Sequence, residues 1–202
     1  DLQQQAKLSH ILQSLSALLN RTLRSGRDFI PLSEELDYIR WYLDIQQYRG
    51  IASYRLNVCL DDSLQDCLLP PFTLEPLVEN SVIHGTVAGR GFLNITIKGF
   101  RTKNIVEISV IDDGCGMDAG TLERLSHTTE TRTSRQHSVH GIGIANVQKR
   151  LQIYFGAEYG VSYDSMPGCF TIATVRIPVR TDGSEETTDQ GKRWENVSCD
   201  DR

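Results

Sequence analysis

Leu8, Ile11, Leu12, Leu15, Leu18, Leu19 and Leu23 recur at intervals of three and four, which predicts an amphipathic helix over residues 2–24 packed against another helix. Ser25-Gly26-Arg27 ends it. Pro31-Leu32-Ser33 opens a second helix, with Ser33 as its expected N-cap, Glu34 and Glu35 in a first turn that favours anions, and Leu36, Ile39 and Leu43 as its buried stripe. Past Gly50 the period drops to two. Tyr54, Leu56, Val58 and Leu60 alternate with mostly polar residues, the signature of a strand with one wet face. A third helix is expected from about Thr73, with Pro76 in its first turn, where a missing amide hydrogen costs little. Leu74, Leu77, Val78, Ser81 and Val82 then face the core, and Asn80 and His84 lie one turn apart on a neighbouring stripe.

Two further alternating runs, Leu93 to Phe100 and Ile105 to Ile111, flank Thr102-Lys103-Asn104 as a hairpin. A short helix is expected from Asp118 to Leu125. From Ser126 to His140 the only apolar residue is Val139, so this stretch has no core of its own and reads as a mobile loop. Helical spacing returns from Gly143 to Phe155 through Ile144, Val147, Leu151 and Tyr154, and two closing strands follow around Pro167-Gly168. The whole is a mixed α+β domain behind a helical segment.

Composition narrows the classes. The 202 residues are 39% hydrophobic, enough for one compact domain and an appendage, and no apolar run approaches the ~20 residues of a membrane span. Most of the net charge of −5 sits in residues 181–202, read as a disordered acidic tail, so the folded part is near neutral. No basic patch interleaved with aromatics suggests nucleic acid. The five cysteines are odd in number and lack C-x-x-C spacing, which points to idle thiols rather than disulfides or zinc.

Within 65 residues, three short signals occur in order: Glu79-Asn80 followed by His84-Gly85, then Asp112-Asp113-Gly114-Cys115-Gly116, then Gly141-Ile142-Gly143. Asp112, at a strand end, is an acceptor suited to the exocyclic amino group of adenine, although the fragment alone is also a plain Asp-Gly turn. Gly114 and Gly116 would let the backbone turn tightly and approach a base. Asn80 offers a neutral oxygen to a hard Mg²⁺ that keeps water and phosphate oxygens as its other ligands, and Glu79 could orient a ligand water or act as a general base. Gly141 and Gly143 precede a helix whose N-terminus is an anion site. His84 is either a phosphate contact or a structural histidine beside Gly85. His127, His137 and His140, with only Glu130 as a nearby acid, read as solvated loop residues rather than zinc ligands.

Taken in order, Pro31-Leu32-Ser33-Glu34-Glu35-Leu36, Pro70-Pro71, Leu77-Val78-Glu79-Asn80, His84-Gly85, Asp112-Asp113-Gly114-Cys115-Gly116 and Gly141-Ile142-Gly143-Ile144 with Asn146 and Arg150 resemble the LytS-type sensor histidine kinases over residues 8–178. The resemblance implies a Bergerat ATP-binding fold, a two-layer α/β sandwich, preceded by an N-terminal helix of the dimerisation type. It assigns residues 1–30 to the dimerisation and phosphoacceptor region, 31–180 to the ATP-binding catalytic domain, and 126–140 to an ATP lid. Its nucleotide boxes carry over onto Glu79 and Asn80 for metal and catalysis. Asp112, Gly114, Gly116 and Met117 fall at the adenine, and Gly141, Ile142, Gly143 and Ile144 at the phosphates, with His84 also drawn into the site. It also implies Mg-ATP as cofactor, a homodimer through the N-terminal helices, a response regulator as partner, and a cytoplasmic place in a bacterial inner-membrane protein.

Two departures stand out. Nothing matches the family's Pro-His-Phe-x-Phe-Asn phosphoacceptor stretch, and His10 has the wrong neighbours, so the first residue reads as a truncation within the dimerisation helices. Ile83 stands where the family usually has Lys before the His-Gly pair. Three functions compete: a histidine kinase, a serine kinase of the anti-sigma type, against which the helical residues 1–48 argue, and a degenerate nucleotide-sensing module, which Ile83 favours.

Overall fold

The computed structural model describes residues 16, 26–50, 53–64, 66–86, 91–128 and 141–180. Five strands form one sheet: β2 (Ser53–Leu60), β4 (Phe92–Thr102), β5 (Ile105–Asp112), β6 (Gly160–Met166) and β7 (Phe170–Pro178), in the order β2-β4-β5-β7-β6. Only β2 and β4 run parallel, with Ser53 opposite Phe92, and the other pairings are antiparallel. A separate two-stranded ladder joins β1 (Ile30–Pro31) to β3 (Leu68–Leu69).

Period-two alternation decides which face of the sheet is covered. Leu93, Ile95 and Ile97 of β4, Val106, Ile108 and Val110 of β5, and Ala173, Val175 and Ile177 of β7 are all buried, while the residues between them are half-buried or exposed. Against this face pack α1 (Leu32–Tyr48) through Leu36, Ile39 and Leu43, α2 (Glu75–His84) through Leu77, Val78 and Val82, and α4 (Gly141–Phe155) through Ile144, Val147 and Leu151. The result is a helical layer on one side of a mixed sheet, the sandwich that the family resemblance implies. A short helix, α3 (Ala119–Thr128), is started by Asp118, whose carboxylate accepts the Thr121 N–H at 2.8 Å.

The hairpin between β4 and β5 closes over Lys103 and Asn104, with Lys103 at φ 53, the left-handed turn that a two-residue loop needs. Asp28, Phe29 and Arg180 meet the end of α4: the Tyr154 hydroxyl donates to Asp28 at 3.1 Å, and Arg180 lies 3.9 Å over the Phe29 ring.

Several boundaries differ from expectation. Ser33 does not cap α1, because β1 runs straight into the helix and the Leu32 N–H donates to Cys67 O at 2.9 Å; Pro31 stands at the cap position without a side-chain hydrogen bond. The third expected helix starts at Glu75 rather than Thr73. The stretch read as loop from Ser126 is helical to Thr128, and the remainder of that loop, the N-terminal helix of residues 2–15 and 17–24, and the acidic tail lie outside the described residues. Tyr154 is exposed, so the buried stripe of α4 ends at Leu151.

Glu34 and Glu35 have opposite fates. Glu34 pairs with Arg27 at 2.6 Å near the surface. Glu35 is completely buried, and its carboxylate accepts the main-chain N–H groups of Phe72 (2.7 Å), Thr73 (3.0 Å) and Leu74 (2.9 Å). Replacing it by alanine strands two buried donors and one half-buried one, each worth about 1–3 kcal/mol when left unmet inside the protein. Glu35→Ala should therefore lower the unfolding free energy by about 3 kcal/mol or more, read from urea midpoints at constant m; a loss below half that would mean that water takes over the three amides.

Candidate nucleotide site

Asp112 ends β5 with its side chain buried beneath the C-terminal half of α2. Its Oδ2 accepts the Ser81 hydroxyl at 2.7 Å and its Oδ1 accepts the Gly114 N–H at 3.0 Å. Burial raises the pKa of Asp112, the Asp113 charge adds to the rise, and the two hydrogen bonds work against it. Among the described residues each oxygen has one donor, which leaves acceptor capacity on both.

The space beside this carboxylate is bounded by main chain. A Cβ on Gly114 would overlap the Gly85 backbone and come within 2.7 Å of Asp112 Oδ1, and a Cβ on Gly85 would lie 3.2 Å from both Asp112 Oδ1 and Leu93 Cδ1. Gly114 thus serves first to let the His84-Gly85 end of α2 pack on the loop after β5. Gly116, at φ 63, lies against the end of the β6–β7 hairpin, where a Cβ would overlap Met166 O. The same loop is tied down at further points. Asp113 accepts the Asn94 N–H and side-chain amide at 2.9 and 2.6 Å, the Cys115 thiol donates to His84 O at 2.8 Å, and the Met117 N–H donates to Ser165 Oγ at 2.8 Å.

On α2, Glu79 and His84 are exposed and Asn80 is half-buried. Burial first, and the Glu79 carboxylate second, raise the pKa of Tyr42 on α1, so that phenol stays protonated beside the acid. Gly141 and Gly143 do not precede α4 but form its first turn; Ile144 is buried in the core, and a Cβ on Gly143 would stand 3.6 Å from Pro76 at the start of α2. The side chain of Ile142 lies outside the described residues. The three signals therefore converge on α2: the Asp112 loop on its C-terminal end, the Gly143 turn on its N-terminal end.

Sequence reasoning missed Ser81, read only as core-facing, and the pairing of Gly85 with Gly114. Ser81 did carry a signal, since a hydroxyl on an otherwise apolar stripe must find a partner inside the protein. Of the cysteines in the described residues, Cys67 is buried, with its thiol pushed up to about 11 by desolvation, while Cys59, Cys115 and Cys169 are exposed.

Residues 72–181 match the histidine kinase-, DNA gyrase B- and HSP90-like ATPase family, and residues 1–52 match the histidine kinase family. The chain belongs to that ATPase family. Its relatives include the sensor histidine kinase YesM of Bacillus subtilis, 31% identical over 89% of this chain and 29% of the relative, and the sensor protein LytS of Oceanobacillus iheyensis, 33% identical over 75% and 26%. The sensor histidine kinase BtsS of Escherichia coli is 28% identical over 85% and 28%. The chain thus spans under a third of each of these relatives. Among solved structures, the catalytic domain of the histidine kinase ThkA aligns at a TM-score of 0.54 and 15% identity over 75% of this chain and 94% of that domain, and the Acinetobacter baumannii histidine kinase AdeS at 0.53 and 16% over 89% and 82%. At such identities the likeness is one of fold, and it agrees with the Bergerat sandwich that the motifs imply.

The raised pKa of Asp112 has a sign that can be checked. A carboxyl whose folded-state pKa lies above its ordinary value of 3.8 binds more protons folded than unfolded, so its contribution to stability falls as pH rises from 3.8 through the raised value. Asp112→Asn should remove that decline. Urea midpoints of the two proteins, compared across this acid range, should diverge in favour of the variant as pH rises; parallel curves would contradict the assignment.

Proposed function

We propose that this chain is the ATP-binding catalytic part of a two-component sensor histidine kinase, transferring the γ-phosphoryl group of ATP to a histidine on an upstream helix for relay to a response regulator. The observation that carries the reading is the Asp112 carboxylate, buried, held by Ser81 and Gly114, and bounded by the glycine backbones at 85 and 114. Such an acceptor, with lone pairs to spare and no Cβ beside it, suits the amino edge of adenine and repels the carbonyl oxygen of guanine. The match of residues 1–52 to the histidine kinase family and the names of the relatives support the histidine-kinase class over the serine-kinase alternative.

The remaining roles follow by position. Asn80, one turn before His84, would hold a Mg²⁺ together with water and phosphate oxygens; among the described residues no three His, Cys, Asp or Glu side chains group into a protein cage for a metal. A bound magnesium ion would neutralise charge on the β- and γ-phosphates. Glu79 would take the imidazole proton as the P–N bond forms and the bond to the ADP oxygen breaks. The amides of the first turn of α4, at Gly141, Ile142, Gly143 and Ile144, would face the phosphates, His84 would lie at their edge, and Gly116 and Met117 would line the adenine side.

We assign residues 31–180 to the catalytic domain, since β1 pairs with β3 and α1 contributes Leu32, Leu36, Ile39 and Leu43 to its core, and residues 1–30 to a dimerising helical region. Residues 181–202 we assign to an acidic tail. Among the described residues no helix is long and apolar enough to cross a membrane, and the cytoplasmic, membrane-tethered setting remains part of the proposal. The exposed Ile83 keeps the sensing-module reading as its competitor.

Asp112→Ala removes a charge-assisted hydrogen bond worth ~1.5–3 kcal/mol, so ATP binding should weaken ~10- to 150-fold while the parent discriminates against GTP. Calorimetry that found ATP and GTP equally bound would sink the adenine assignment.

Phosphotransfer is tested with γ-labelled ATP and Mg²⁺, the chain being incubated alone and then with the upstream helical segment of its own gene product. Acid-labile label should appear on the added segment and not on His10. Label on His10 would refute the expected placement of the acceptor, and ATP binding without label in either case would favour the sensing module.

A further inference from the structure

Phe72, three residues before α2, has φ 61, a left-handed backbone that bulky residues avoid. Both of its main-chain groups are held by charged side chains. Its N–H donates to Glu35 Oε1 at 2.7 Å, and its carbonyl accepts from Arg150 Nη2 at 2.6 Å. Glycine would adopt this conformation freely; phenylalanine stays there because the surroundings over-determine it. The other Glu35 oxygen takes the N–H groups of Thr73 and Leu74, and Thr73 Oγ1 donates to Pro70 O at 2.6 Å, so the chain entering α2 is fixed residue by residue from 70 to 74.

Arg150 lies seven residues beyond Gly143 on α4, two turns along one face. Gly143 meets Pro76, and Arg150 meets Phe72, so α4 touches the start of α2 at two points. One helix carries Glu79 and Asn80, and the other opens with Gly141 and Gly143. The setting of α2 along α4 therefore fixes how far the metal side of the site stands from the phosphate side, whereas Asp112, on β5, sits at the opposite end of α2.

We infer that Glu35 and Arg150 are positioning residues for the phosphate and metal end of the nucleotide site, acting through the strained Phe72 to set α2 against α4. The inference rests on the nucleotide reading proposed above. It makes α1, through Glu35, the element whose displacement would be felt first at the entry to α2, while the adenine side is held separately by Asp112 through Ser81.

The test compares Arg150→Met and Arg150→Lys with the parent chain, well below each melting temperature, using Mg-ATP by calorimetry and adenosine by chemical-shift titration. Arg150→Met should weaken Mg-ATP by roughly three- to thirtyfold and leave adenosine within about twofold of the parent. Arg150→Lys, which keeps a cationic donor for the Phe72 carbonyl, should recover most of the loss. A clamp that serves stability alone would lower the melting temperature and either spare both ligands or weaken both alike, and either pattern overturns the inference. Should Arg150→Met fail to fold, Arg150→Gln takes its place with the same readout. A parent chain that binds neither ligand would overturn the nucleotide reading itself.

Discussion

A carboxylate taken out of water must be met by donors, and α2 is suspended between two of them. Glu35 holds the three amides that lead into the helix, and Asp112 holds Ser81 on its second turn and Gly114 in the loop beneath its end. Leaving either carboxylate half-met in the interior would cost more than removing it altogether. The helix that carries Glu79, Asn80 and His84 is therefore located by two polar anchors at its ends, while Leu77, Val78 and Val82 supply non-directional burial between them. Burial alone would allow such a helix to slide or rotate by small amounts; hydrogen bonds of 2.7–3.0 Å do not.

What was legible in the sequence was whatever depends on period. The alternation through Leu93, Ile95 and Ile97 and through Val106, Ile108 and Val110 announced the central hairpin, and Leu74, Leu77, Val78, Ser81 and Val82 announced the buried stripe of α2. Period says nothing about which polar residue on a stripe meets which partner thirty residues away. Glu34 and Glu35 look equivalent as first-turn acids, yet Glu35 lies among Leu32, Leu36 and Ile39 and had to find its donors in the interior. Ser33 was a sound cap by composition and lost the position to a strand pairing that local sequence does not encode. The glycines were legible as close approaches, but the approach at 114 is to Gly85, a contact between two motifs rather than within one.

On the proposed adenine reading, Asp112 combines two demands that usually conflict. As a structural anchor it should be saturated with donors, and as a recognition group it should keep acceptor capacity free. A carboxylate resolves this because it offers about four acceptor positions, and Ser81 and Gly114 occupy one on each oxygen. The raised pKa follows from the same compromise, since donors fewer than saturation do not fully offset desolvation. A more thoroughly satisfied aspartate would anchor better and recognise less.

Ile83 can be judged on similar grounds. It lies on the exposed side of α2, beside His84 and away from Leu77, Val78 and Val82, and 41% of its surface remains accessible. A side chain so placed contributes little to the core, so burial gives no reason for an isoleucine in preference to a lysine there. Its influence must then be electrostatic: one cation fewer at the end of α2 that faces the Asp112 loop. The first turn of α4 can meet phosphate charge with main-chain amides, which no side-chain substitution removes. If the proposed function holds, isoleucine in place of lysine bears on how charge is met during transfer more than on whether a nucleotide is held, and this is where a kinase and a sensing module built on the same fold would part.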